Sequence, residues 1–187
     1  MQICFYCIKF VNRFLFYQPS EYLLTMSTTT NLRKIDSLLS EYGESHQNPT
    51  NKLVHWVCVP IIMFSLLGMF YTIPFPILER SLFANWATVF IVLTLLYYLT
   101  LSLPIFLGFI FVGGAMVVGN HFLFEMVNPT VPYIYVSIGL FFIAWVGQFI
   151  GHNIEGKKPS FLKDLQFLLV GPAWLLHFIY KKVGIKY

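Results

Sequence analysis

Two stretches of this chain place polar, metal-competent side chains at the edges of long apolar segments. They are Tyr42-Gly-Glu-Ser-His-Gln-Asn-Pro-Thr-Asn-Lys-Leu-Val-His55 and Gln148-Phe-Ile-Gly-His-Asn-Ile-Glu-Gly-Lys-Lys-Pro159. Between them they carry His46, His55 and His152, with Asn51 and Glu155 alongside. Imidazole suits iron, zinc or copper. Asn51 and His55 are i, i+4 neighbours and share one face of a helical turn. Asn48 or Asn51 can cap that helix or orient a histidine. His152 and Glu155 are i, i+3, so Glu155 can serve as a carboxylate ligand or hold a ligand's second nitrogen. Two histidines and one carboxylate with open positions form a set used for oxygen activation by non-haem iron. His121 and His177 are the two further imidazoles that can join such a site. The plainer reading makes these histidines interfacial polar groups without a ligand.

The background makes the polar clusters stand out. Of 187 residues, 57% are hydrophobic, 19% aromatic and only 11% charged, with mean hydropathy +0.70. A soluble domain carries about 25% charged residues, so the composition is that of an integral membrane protein. The net charge of +4 is accounted for by basic loops at a membrane surface and calls for no nucleic-acid partner. Cys4 and Cys7 form a lone CxxC, weak support for a zinc site, and Cys58 reads as a small packed residue. Nucleophile-elbow, dinucleotide, P-loop and HExxH motifs are absent from the sequence. So are the HxxHH boxes of membrane desaturases, and five histidines are too few for a di-iron site of that kind.

The elements that must position these groups are helices, because a chain in lipid has to satisfy its backbone internally. Apolar runs over 53–73, 82–101, 103–118 and 131–150 each approach the length of a membrane-spanning helix. The third is entered at Pro104, and its Gly108, Gly113 and Gly114 suit close helix packing. Residues 31–42 predict a short amphipathic helix on the membrane surface, ended by Gly43. Residues 161–180 are less apolar and interrupted by Gly171 and Pro172, which predicts interfacial or re-entrant helices. The expected fold is therefore all-α, with about four transmembrane helices, an N-terminal amphipathic helix and a C-terminal interfacial segment. Residues 1–25 are apolar but broken by Lys9 and Arg13, and lack a small-residue cleavage site. They read as a dispensable extension to a single catalytic domain over 26–187.

Charge sets the expected orientation. Lysine and arginine concentrate in 31–52, 157–163 and the tail, whereas the loops 74–81 and 119–130 carry only Arg80. The positive-inside rule then puts both termini in the cytosol. On that topology His46, His55, His152 and His177 gather on one side, with His121 across the membrane unless its segment is a shorter buried one.

The two motifs, His46-Gln-Asn-Pro-Thr-Asn-Lys-x-x-His55-x-x-x-x-Pro60 and Trp145-x-x-Gln148-Phe-x-Gly151-His152-x-x-Glu155-x-x-x-Pro159, followed by Leu162 and Asp164, resemble those of the small endoplasmic-reticulum 2-hydroxy-fatty-acid dioxygenases. The resemblance covers about residues 36–182. It implies a multi-pass endoplasmic-reticulum enzyme of fatty-acid α-oxidation in sphingoid-base catabolism. Its partners would be membrane lipid, a 2-hydroxy fatty acid and dioxygen, and its cofactor Fe(II). The substrate would engage iron through its carboxylate and 2-hydroxyl. Cleavage of C1–C2 would release C1 as carbon dioxide and leave an acid one carbon shorter. By that likeness His46, His55 and His152 carry over as iron ligands. His121 and His177 are further candidates, the latter at a position where relatives have glutamate. Asn51 and Glu155 are the polar groups expected to assist. The alternatives are a non-catalytic lipid-binding scaffold and a zinc-dependent lipid hydrolase.

Overall fold

A computed structural model describes residues 33–76, 78–156 and 167–187, and the folded elements are all helices. They are α1 (Lys34–Glu44), α2 (Pro49–Thr72), α3 (Trp86–Leu101), α4 (Leu103–Val127), α5 (Tyr133–Glu155) and α6 (Val170–Val183). Three of them, α2, α4 and α5, are long and apolar enough to cross a membrane. The apolar α3 has 16 residues and so extends only about 24 Å.

Side-chain contacts fix an up-down-up-down arrangement of α2 to α5. Phe70 near the end of α2 stacks on Phe90 near the start of α3. Tyr98 late in α3 meets Phe109 early in α4. Asn120 late in α4 accepts a hydrogen bond from the Tyr133 hydroxyl at the start of α5, and α5 returns along α2. Asparagine and serine caps start three of these helices. Asn48 accepts from Thr50 N, Asn85 from Thr88 N and Ser102 from Ile105 N, with Pro49 and Pro104 in the first turns of α2 and α4. Gly156, at φ 74°, closes α5 in the left-handed conformation.

The bundle is apolar outside as well as within, and polar groups sit among its buried residues. Large apolar side chains such as Phe111, Phe142 and Ile143 point outward, while Asn51, Ser65, Asn120, Ser137 and Gln148 are buried. That pattern suits a lipid exterior, where internal polar groups must find partners among the helices. α1 and α6 pack together at the end of the bundle where α2 begins and α5 finishes. There Tyr42 and Trp174 meet edge to face, Tyr98 Oη donates to the Leu169 carbonyl, and Tyr180 Oη donates to the Pro104 carbonyl.

Four sequence expectations shift. Gly43 does not end α1, which runs to Glu44. The third apolar run does not stop at Val118, and it is not a short segment. It is a 25-residue helix reaching Val127, because the Asn120 amide finds the Phe64 and Met116 carbonyls inside the bundle. Gly171 and Pro172 do not break the C-terminal segment. They occupy the first turn of α6, where proline's missing N–H has no intrahelical acceptor to lose. α3 starts only at Trp86, four residues later than its apolar run. The N-terminal extension, Cys4 and Cys7, the start of the surface helix at Asn31 and the 157–166 loop lie outside the described residues.

Candidate metal centre

His46 lies in the short link between α1 and α2, His55 in the second turn of α2, and His152 in the last turn of α5. Pro49 and the Asn48 cap turn the chain sharply into α2, which folds His46 back over His55. The three rings converge. Centroid separations are 4.1 Å for His46–His55, 5.1 Å for His55–His152 and 5.3 Å for His46–His152. One ligating atom from each falls within 4.8 Å of the others, so the group could hold a metal ion. All three are at least nine-tenths buried, with 2%, 1% and 5% exposure, so bulk water does not complete the site.

Hydrogen bonds set the ring orientations. His46 Nδ1 donates to the Tyr42 carbonyl at 2.5 Å, and His55 Nδ1 donates to the Asn51 carbonyl at 2.9 Å. A carbonyl oxygen can only accept, so each neutral ring carries its proton on Nδ1 and a lone pair on Nε2. The two Nε2 atoms face each other at 2.8 Å. Two lone pairs at that separation repel unless a cation lies between them. A backbone carbonyl on the far nitrogen is the usual outer partner of a metal-bound histidine.

Glu155 joins the two motifs. Its Oε1 accepts from Gln47 N at 2.8 Å, and its Oε2 from Asn48 N at 2.9 Å and Asn51 Nδ2 at 3.0 Å. The carboxylate thus sits on the amides leading into α2, where the helix dipole also favours negative charge. With both oxygens engaged by N–H donors, Glu155 clamps the His46 link to the end of α5. Asn51 contributes twice, through its carbonyl to His55 and its amide to Glu155.

The other two histidines lie elsewhere. His121 Nδ1 bonds the Tyr71 hydroxyl at 2.7 Å, and Tyr71 is 16 residues beyond His55 on α2, about 24 Å along the helix. His177 packs on Phe178 and Tyr187, and burial pushes its pKa down to about 4 against the pull of Asp36. The residue α6 supplies to the cluster is Trp174, whose ring lies 5.3 Å from that of His46.

Sequence reading gives no role to four residues that shape the site. Tyr42 stacks on His46 at 4.2 Å and 15°. Gly147 and Gly151 let α5 approach α2, because a Cβ at Gly147 would stand 2.6 Å from Cys58 Sγ and one at Gly151 would stand 2.5 Å from Asn51 Oδ1. The signal was a small-xxx-small spacing on α5. Gln148 is one turn before His152 and, with His55, lines a cavity of about 30 Å³ beside the cluster.

Fold and site together define a class: an all-helical, membrane-type protein with a buried histidine cluster able to hold a metal ion at one end of its bundle. Within that class the chain belongs to the Mpo1-like family, described as "2-hydroxy-palmitic acid dioxygenase Mpo1-like", which it matches over residues 32–183. It is 30% identical over 156 residues to the 2-hydroxy-palmitic acid dioxygenase MPO1 of Saccharomyces cerevisiae, covering 82% of this chain and 83% of that relative. No solved structure matches the chain.

Proposed function

We propose that this protein is an Fe(II)-dependent dioxygenase that shortens 2-hydroxy fatty acids by one carbon, working in the endoplasmic-reticulum membrane with four spans and cytosolic termini. The observation that carries the reading is the pair of Nε2 lone pairs held face to face at 2.8 Å by carbonyl-anchored rings. Family membership supplies the reaction class. His46, His55 and His152 would hold the metal. An imidazole donor set fits iron, which would supply the site for substrate and dioxygen. Bound Fe(II) supplies the redox chemistry toward dioxygen.

The chain's own residues do the rest. The carbonyls of Tyr42 and Asn51 keep the imidazoles in the ligating tautomer. Glu155 holds the His46 link against α5. Tyr42 and Trp174 cover the cluster and exclude water. The overall conversion balances without a further reductant: one 2-hydroxy acid and one dioxygen give the shortened acid, carbon dioxide and water. The site lies at the end of the bundle, so an amphiphile can keep its acidic head there and its tail along the apolar helices.

The test is metal content of the purified protein, with consumption of 2-hydroxypalmitate measured with and without oxygen. Iron bound in proportion to protein, oxygen-dependent turnover, and loss of both in His55→Ala and His152→Ala are expected. Retention of stoichiometric iron in both variants would sink the metal-centre reading. Turnover independent of oxygen would favour a hydrolase, and absence of any metal a scaffold.

A further inference from the structure

Gln148 is 5% exposed, and its Oε1 has no hydrogen-bond partner. Leaving such an oxygen unpaired is costly, and native structures contain few. Gln148 is one of the residues that line the small cavity reaching His55. The rest of that lining is mainly apolar, including Val59, Ile62, Met63 and Leu168. Gln148 is i−4 to His152, so both project from the same face of α5 toward the cluster. The chain therefore keeps an unpaired hydrogen-bond acceptor one helical turn inside the metal site, on a side chain that lines a space of about 30 Å³.

An acceptor selects for a donor. At neutral pH a fatty-acid carboxylate offers acceptors only, dioxygen offers acceptors only, and the alkyl tail offers neither. The one donor on a 2-hydroxy acid is its hydroxyl proton. Resting on the dioxygenase reading above, we infer that Gln148 Oε1 accepts the hydrogen bond of the substrate's 2-hydroxyl. Gln148 is then the residue that separates 2-hydroxy acids from plain fatty acids. A cavity of this size admits a hydroxyl-sized group, and an unhydroxylated acid bound beside it leaves the oxygen unpaired. Sites built around one such bond discriminate strongly against ligands that lack its partner.

The experiment is a cycle between protein and ligand on the iron-loaded full chain in detergent, without oxygen so that nothing turns over. Binding of 2-hydroxypalmitate, 2-fluoropalmitate and palmitate is measured by calorimetry for wild type, Gln148→Met and Gln148→Leu. Fluorine matches the hydroxyl in size and cannot donate. Wild type should prefer the hydroxy acid, and both variants should lose on the order of tenfold to a hundredfold of that preference. Palmitate binding, iron content and melting temperature should hold in the variants. With oxygen, the loss should appear in KM for 2-hydroxypalmitate more than in kcat.

A preference unchanged in both variants overturns the assignment. So does equal weakening of all three ligands with a lowered melting temperature, which marks a structural glutamine or one that only holds a water. The outcomes separate this inference from the reading it rests on. Wild type that consumes oxygen with 2-hydroxypalmitate while its variants keep the preference sinks only the role of Gln148. Wild type that consumes no oxygen sinks both.

Discussion

Glu155→Gln is the substitution that separates a clamp from a ligand. The carboxylate accepts three N–H bonds, at 2.8, 2.9 and 3.0 Å, from Gln47, Asn48 and Asn51. An amide keeps one oxygen and turns an NH₂ group toward donors that need an acceptor. Hydrogen bonds to a charged group contribute about 1.5–3 kcal/mol each and neutral ones about 1. The bond to Gln47 is exposed, and water can replace it. The two part-buried bonds then carry a combined loss of about 2 kcal/mol. In the metal-free protein this loosens the link that holds His46. Metal binding must reorder the link, so the same 2 kcal/mol appears as an affinity loss of about 30-fold, inside the range of about 10–100-fold found for outer-shell partners. The assay is competition of the purified variant against a chelator of known affinity, with His55→Ala as the reference for a lost ligand. Glu155→Asp, which keeps the charge and shortens the reach, should fall between wild type and Glu155→Gln. Loss of metal as complete as in His55→Ala would make Glu155 a ligand and refute the clamp. An unchanged affinity would show that the link holds itself.

Gly151→Ala places a methyl 2.5 Å from Asn51 Oδ1 and 3.2 Å from Val54 Cγ1, so it should cost about 1–3 kcal/mol in stability and weaken metal retention by parting His55 from His152; thermal melts and metal content check both. His121→Phe removes one hydrogen bond, to Tyr71, and should cost about 1 kcal/mol while leaving metal content unchanged. Burial pushes the His177 pKa down to about 4 from the ordinary imidazole value of about 6.5, so the unfolded chain binds the extra proton first. Stability should therefore fall as pH drops from about 6.5 to about 4, by no more than about 3 kcal/mol, and His177→Phe should flatten melting temperature against pH in that window.

How much of this was legible in sequence depended on whether the cue was local. The all-helical class and the long apolar helices follow from composition and run length, and both hold. The pairing of His46, His55 and His152 came from two motifs at apolar edges, and the fold does bring those three together. His177 joins them in the sequence reading because the expected topology puts it on the same side of the membrane. Yet α6 turns Trp174 toward the cluster, and helix phase relative to a distant partner cannot be read from one segment. The third apolar run is cut short in the sequence reading because the polar Asn120 follows it. Asn120 is polar but internal, because carbonyls and a tyrosine of neighbouring helices satisfy it. Glu155 looked like a ligand or a ligand's support. Its bonds to Gln47 and Asn48 depend on a contact more than 100 residues away in the chain.

The geometry of the histidines is set by the register of α2 against α5, and that register is fixed well beyond the site. Gly147 faces Cys58, and ten residues further along α2 Gly68 faces Ser137, ten residues back on α5. The same antiparallel alignment therefore holds over nearly three turns. At each point a glycine makes room for a neighbour that a larger residue would displace: a Cβ on Gly68 would stand 2.4 Å from Ser137 Oγ. A slip of one turn, about 5.4 Å, would drive Cβ atoms into these contacts. It would also carry His152 away from His55 by more than a metal–nitrogen bond of about 2 Å can span. In lipid the apolar exterior of each helix is indifferent to such a slip, because hydrocarbon solvates every register equally. Close glycine contacts and buried polar groups are then the terms that distinguish one register from the next. This explains why the inner stripe of α5 reads Ala144, Trp145, Gln148, Gly151, His152: the residues that choose the register and those that present the chemistry share one face.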